Sequence, residues 1–221
     1  DGKRILFVSN REGNEDIWIM EATGKNSSNL TAHPADDRTP AWSPQGDAIA
    51  FASYRNGNWE IYLMGTDGSH PRRLTDHEAA DLAPTWSPDG RWLAFASHRD
   101  GNWELYIMDS EGAQLRRLTD NEATDFAPAW SPHGDLIAFE SYRDGDMEIY
   151  VISPDGSYLA NLTNEPVAND HRPAWSPDGT MLLYHSNRDG GWDIFRMNAD
   201  GSGKLNLTQS ETLEQEPAWQ P

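Results

Sequence analysis

The sequence predicts an all-β fold, a five-bladed β-propeller of four-stranded antiparallel blades. Three observations predict it. Trp42, Trp86, Trp130, Trp175 and Trp219 follow one another at spacings of 44, 44, 45 and 44 residues, and self-similarity at such a period marks a repeat architecture. Each repeat holds four short strand signals separated by turn signals, and no helical period competes. Strands such as Leu93-Ala94-Phe95-Ala96 and Ile61-Tyr62-Leu63-Met64 are apolar on both faces, so each sheet must lie between two others. Four-stranded sheets stacked face to face around an axis make a propeller.

The N-terminal segment supplies three strands, 4–9, 16–20 and 29–31, and lacks the one that carries the Trp. In mid-chain the strands fall at 92–97, 104–108, 115–119 and 126–130. Between them lie Arg99-Asp100-Gly101-Asn102, Asp109-Ser110-Glu111-Gly112 and Ser131-Pro132-His133-Gly134, whose Pro and Gly supply the fixed and positive φ values that tight turns need. The C-terminal Glu216-Pro217-Ala218-Trp219 is the strand that the first blade lacks. Joined end to start, Trp219-Gln220-Pro221 and Asp1-Gly2-Lys3 read as one more Trp-x-Pro-x-Gly turn. One domain over 1–221 follows, in units 1–41 plus 217–221, 42–85, 86–129, 130–174 and 175–216. The C-terminal strand closes the ring by joining the N-terminal blade, which removes two exposed sheet edges. The expected state is a monomer; the structural alternative is part of a six-bladed ring that closes through oligomerisation.

Composition narrows the function. Seventeen Lys and Arg against 36 Asp and Glu give a net charge of -19, which repels phosphate backbones and argues against nucleic acid. The absence of cysteine removes disulfides, thiolate nucleophiles and Cys-ligated zinc. No apolar run reaches bilayer-spanning length and no charged-then-apolar leader opens the chain, so membrane insertion is not expected. There is no G-x-S-x-G elbow. His77-Glu78-Ala79-Ala80-Asp81 lacks the second His of a zincin helix, and Asp144-Gly145-Asp146-Met147-Glu148 is too short for an EF-hand.

Antiparallel strands alternate direction, which sorts the turns onto two faces. With the Trp strand running down the channel, the Trp-Ser-Pro turns lie at the bottom and the Arg-x-Gly turns at the top. Asp37, Asp81, Asp125, Asp170 and Glu214, five residues before each Trp, then ring the top-face mouth. Arg11, Arg55, Arg99, Arg143 and Arg188 share that face. Acids and guanidiniums at matched phases predict a structural salt-bridge ring. The alternative is that the carboxylates bind a cation, calcium for oxygen-only ligands, or a basic segment. Trp59, Trp103 and Trp192 follow the Arg-x-Gly turns, suited either to packing or to stacking a ligand. Between Trp42–Thr85 and Trp86–Ala129, 26 of 44 residues are identical, so shared positions read as scaffold and a specific site belongs where symmetry breaks. The connection Asn164–Arg172 carries the extra residue and a unique pair, His171-Arg172, facing Arg38, Leu82 and Phe126 at the His171 phase.

The unit P-A-W-S-P-D-G-x-x-[IL]-A-F-x-S-x-R-D-G-x-x-[ED]-[IL]-Y-x-M-x-x-[DE]-G-x-x-x-x-x-L-T resembles the repeat of TolB-like propellers over essentially the whole chain. TolB itself looks like a six-bladed ring with an extra N-terminal domain, whereas five units are read here. The resemblance implies a binding scaffold, often periplasmic or otherwise extracytoplasmic, within a family that includes propellers attached to peptidases and metal-dependent lyases. The expected function is therefore non-enzymatic: a scaffold holding a protein segment or a saccharide at the mouth, with no cofactor demanded by the fold. The alternatives are a glycoside hydrolase or metal-dependent lyase using channel carboxylates, and an engineered or amplified repeat protein without a ligand. All five acids occupy one equivalent phase, which disfavours the unequal acid and base that glycoside hydrolysis needs.

Overall fold

The computed structural model describes residues 2–210 and 212–219. Nineteen strands form five antiparallel sheets and there are no helices among the described residues. Blade I holds β1 (Arg4–Ser9), β2 (Asp16–Glu21) and β3 (Ser28–Asn29). Blade II holds β4 (Asp37–Trp42), β5 (Ala48–Ser53), β6 (Glu60–Gly65) and β7 (Arg72–Arg73). Blade III holds β8 (Asp81–Trp86), β9 (Trp92–Ser97), β10 (Glu104–Asp109) and β11 (Arg116–Arg117). Blade IV holds β12 (Asp125–Trp130), β13 (Ile137–Ser141), β14 (Glu148–Ile152) and β15 (Leu159–Asn161). Blade V holds β16 (Asp170–Trp175), β17 (Met181–Ser186), β18 (Asp193–Asn198) and β19 (Leu205–Asn206). Strand order within each sheet is sequential, innermost to outermost.

The innermost strands of blades II to V carry the same irregularity. The register shifts between Arg38 and Ala41, Leu82 and Thr85, Phe126 and Ala129, and His171 and Ala174. Thr39, Ala83, Ala127 and Arg172 take φ of 48°, 54°, 50° and 55° there. The next residue is a proline in every case, and proline has no N–H to give the ladder. A bulge absorbs that missing donor and bends the strand toward the channel. Pro40, Pro84, Pro128, Pro173 and Pro217 all line a central channel of about 370 Å³.

The repeated Trp-Ser-Pro turn is held from inside. Ser43 Oγ accepts the N–H of Ala48 at 3.0 Å, and Ser87, Ser131 and Ser176 do the same for Trp92, Leu136 and Met181. The indole of Trp86 donates to the carbonyl of Ala41 at 3.2 Å and that of Trp175 to Ala129 at 3.1 Å, tying neighbouring inner strands. Blade faces meet through apolar clusters, for example Ala50, Ala52 and Ile61 of blade II against Leu93, Phe95 and Tyr106 of blade III. Gly112 shows how close the sheets come: it has φ +86°, and a Cβ there would stand 2.8 Å from the carbonyl oxygen of Leu74.

The outermost strands are shorter than the sequence predicts: β11 covers Arg116–Arg117, not 115–119. The chain leaves the ladder after Arg117 because Thr119 turns inward, accepting the N–H of Leu105 at 2.9 Å and donating to the buried Glu104 carboxylate.

The C-terminal segment follows the path of an innermost strand against blade V. Glu214 N–H donates to Trp192 O at 2.9 Å, as Asp170 N–H does to Met147 O at 2.7 Å. Glu216 repeats the positive φ, at 55°, and the Trp219 indole donates to Ala174 O at 3.0 Å. It thus supplies the fifth side of the channel. Among the described residues it forms no ladder with β1, so blade I has three assigned strands. The end-to-start turn through Gln220, Pro221 and Asp1 lies outside the described residues. Beside this seam Ile5 is 40% exposed, whereas Ile49, Leu93, Ile137 and Leu182 at its phase are fully buried.

Candidate functional site

The acids and arginines predicted at the top face meet within blades. Arg55 Nη2 lies 3.2 and 3.1 Å from the two oxygens of Asp37, Arg99 Nη2 3.2 and 3.1 Å from those of Asp81, and Arg188 Nη2 3.1 and 3.0 Å from those of Asp170. Arg143 Nη2 reaches one oxygen of Asp125 at 2.9 Å. One nitrogen bridges both oxygens in three of these pairs, so they are not the two-nitrogen fork. The reason is that Nε is already used: it donates to Ser53, Ser97, Ser141 and Ser186 at 2.7, 2.8, 2.7 and 3.0 Å. Each guanidinium also lies over a ring, Arg99 over Tyr106 at 4.5 Å. All four aspartates are fully buried. Burial pushes the Asp81 and Asp125 carboxyls above the usual carboxylate range, and the serine and arginine partners pull them back only in part.

Asp37, Asp81, Asp125 and Asp170, the candidate ligand groups at the mouth, are thus turned inward onto their own blades. At least one oxygen of each faces its own blade's arginine, so a cation or basic segment there would have to displace that guanidinium, while Asp125 Oδ1 is buried without a partner among the described residues. Glu214 differs: Thr212 Oγ1 donates to one oxygen at 2.6 Å, and its other oxygen is buried without a partner among the described residues. Arg11 makes no ion pair among the described residues; it bonds Ser9 Oγ at 2.8 Å and stacks over Trp18 at 4.4 Å. Among the described residues no three His, Asp or Glu stand together as a metal site. A second set of buried acids, invisible as a set from the mouth-centred reading, starts the third strand of each blade. Glu104 shows its role: it takes Arg117 at 2.9 Å, the Asn102 amide at 2.8 Å and the Asn121 N–H at 2.9 Å, fastening the top loop to the sheet.

The tryptophans are half-buried and engaged. Trp59 meets Tyr54 edge-on at 5.4 Å and lies under the Arg38 guanidinium at 5.0 Å, while Arg38 pairs with Glu15. Trp103 packs against His98 at 5.3 Å and Phe126 at 5.2 Å. Trp192 meets His171 at 5.5 Å and His185 at 5.3 Å.

That last contact belongs to the sector where symmetry breaks. Between blades IV and V a pocket of about 280 Å³ is lined by Phe126, Glu140, His171, Arg172, His185, Trp192, Gln215 and Glu216. Glu140 is almost buried; its two oxygens take His171 Nδ1 at 2.9 Å and the Arg172 N–H at 2.9 Å. His185, opposite His171 across the ladder, stacks on it at 5.4 Å. Its Nδ1 accepts the Glu216 N–H at 3.3 Å. Burial, then the neighbouring His171, pushes the His185 imidazole down to about 4, so it is neutral at pH 7. Arg172 reaches Glu216 at 3.6 Å across the channel mouth.

His171 and Arg172 were legible in the sequence; Glu140 and His185 were not singled out. The signal for them exists in the second strand of each blade. The residue before the repeated Ser is Val8, Ala52 or Ala96 in blades I to III but Glu140 and His185 in blades IV and V. Small apolar residues fit the narrow gap between sheets, so a carboxylate and an imidazole there announce a different environment.

A family model described as TolB beta propeller domain matches residues 1–82, 76–161 and 122–221. The chain is similar to a solved protein of Agrobacterium tumefaciens assigned as TolB, with 27% identity and a TM-score of 0.71 over 84% of this chain and 70% of that one. It is similar to TolB from Acinetobacter baumannii, at 22% identity and a TM-score of 0.68, over 98% of this chain and 66% of that one. An oligogalacturonate lyase in complex with manganese gives 17% identity and a TM-score of 0.74, over 94% of this chain and 62% of that one. The last two likenesses show the fold alone. The chain therefore spans about two thirds of the length of the TolB proteins it resembles. No curated protein matches it in sequence.

Proposed function

The chain belongs to the TolB β-propeller family, and from that premise we propose that it is a non-enzymatic binding scaffold, monomeric and extracytoplasmic, that takes a protein segment or a saccharide at its top-face mouth. The observation that supports this is the division of labour on that face. In blades II to V the acid that opens the inner strand is held in an intrablade ion pair, whereas Glu140, His171, Arg172, His185 and Trp192 gather around an open pocket between blades IV and V alone. Family likeness and solved TolB structures support a scaffold and an extracytoplasmic location; the neighbouring lyase fold leaves catalysis as the rival.

The test is a parallel screen of peptide and glycan arrays with the wild-type protein and a His171→Ala/Arg172→Ala variant. Hits that the variant loses support the mouth as the site. Hits retained in full by the variant, or none at all, overturn it. The Glu140–His171 pair favours one second reading, because a carboxylate-oriented imidazole can move a proton. Turnover of a polysaccharide that disappears in His171→Ala would replace binding with catalysis, and turnover that disappears in Asp81→Asn would restore the channel-carboxylate mechanism.

A further inference from the structure

Resting on that reading of the mouth, we propose that the pocket between blades IV and V holds one neutral hexopyranose ring, laid against Trp192 and hydrogen-bonded by the His171–His185 pair. The argument begins with the tautomers. His171 Nδ1 faces the Glu140 carboxylate at 2.9 Å, so Nδ1 carries a proton, and the Nδ1–H tautomer presents Nε2 as an acceptor. His185 Nδ1 accepts the Glu216 N–H at 3.3 Å, so its Nε2 carries the proton and donates. Two rings stacked at 5.4 Å thus offer the pocket one acceptor and one donor side by side. Gln215 adds both kinds, Arg172 adds donors and Glu216 adds acceptors.

A hydroxyl group donates and accepts at once, so a ring bearing several hydroxyls satisfies this alternation. A carboxylate accepts only and an ammonium or guanidinium donates only, and each leaves part of the set unmatched. The pocket's charges offset one another only in part: Glu140 and Glu216 stand against Arg172 beside neutral His185, an excess of one acid that disfavours an anion. An anion would in addition meet the molecule's net charge of -19. The volume, about 280 Å³, lies near the lower end for small-molecule sites and suits one ring better than an extended peptide. Trp192 and Phe126 supply the apolar walls, and an aromatic face packs against the C–H face of a sugar ring.

Saturation-transfer NMR and calorimetry with methyl β-glucoside, methyl β-galactoside, methyl α-mannoside and their two- to four-unit oligomers test this. Galacturonic acid and a Lys/Arg-rich peptide serve as charged probes. At least one neutral saccharide is expected to bind, with affinity lowered tenfold or more in Trp192→Ala and in His185→Ala. The second variant restores the residue type of Ala52 and Ala96, so it keeps the fold, and Trp59→Ala on blade II leaves the affinity unchanged. A neutral saccharide that binds equally well to Trp192→Ala and His185→Ala overturns the proposal. So does a pocket that takes only galacturonic acid or the basic peptide, although the mouth would then still be a binding site. Binding of none of the probes, alongside array hits that depend on His171 and Arg172, overturns the sugar assignment alone; no mouth-dependent hit overturns both readings.

Discussion

Buried carboxylates make the sharpest residue-scale statement. Asp81 is fully buried and Arg99 nearly so, and burial has raised the Asp81 carboxyl in spite of its partner. Desolvation thus rivals the ionic attraction, and the pair matters chiefly because breaking it strands a charge. Arg99→Ala is expected to destabilise the protein by about 3 kcal/mol in urea denaturation. An effect like that of an exposed pair would show that water reaches Asp81. His185 makes the second statement. Its imidazole is held at about 4 against an ordinary 6.5, so between those values the unfolded chain binds a proton that the folded one refuses. Stability contributed by this site is therefore present above about pH 6.5 and lost as pH falls toward 4. Facing it are His171, Glu140, Arg172, Glu216 and Trp192, and Glu140 softens the loss. The pH dependence of thermal unfolding should be shallower over this range in His185→Ala than in the wild type.

At the scale of the element, the turns separate two causes that sequence alone merges. Gly101 and Gly112 both have positive φ, 96° and 86°, but a Cβ at Gly101 meets nothing while one at Gly112 stands 2.8 Å from Leu74 O of blade II. Alanine at Gly101 should cost about 1 kcal/mol from backbone strain. Alanine at Gly112 should cost about 2 kcal/mol or more, since the neighbouring blade must also shift. Equal losses in chemical denaturation would mean that the blades slide freely at that turn. The strands themselves were legible: β1 and β9 lie at the residues that alternation and turn chemistry assign. The outer strands were not, because Thr119 and its counterparts leave the ladder for a buried acid that no local pattern reveals.

For the whole molecule, the weak point is the seam between blades V and I. Leu207 is 48% exposed there while Leu162, its counterpart between blades IV and V, is 6% exposed. Strands without a laddered neighbour open first, so amides of β1 should exchange with solvent sooner than those of β9, read by native-state hydrogen exchange. Matching protection would show a full closing ladder. Removal of residues 214–221 takes away the fifth side of the channel and should raise the mass read by light scattering above that of the intact protein, because the apolar faces of blades I and V lose cover.

Blade number, strand phase and, in blades II to V, the pairing of the acid that opens the inner strand with an arginine of the same blade were determined by the sequence itself. Those features repeat, and a contact made inside one blade is encoded by a fixed spacing that recurs with the unit. The tertiary structure alone decided which groups remain open to a ligand. Glu140 belongs to blade IV and His171, His185 and Trp192 to blade V, and they meet because adjacent sheets stack and a bulge at Arg172 turns the inner strand. Spacing carries no record of that approach, since it depends on how far apart two packed sheets stand and which side chains the gap between them admits.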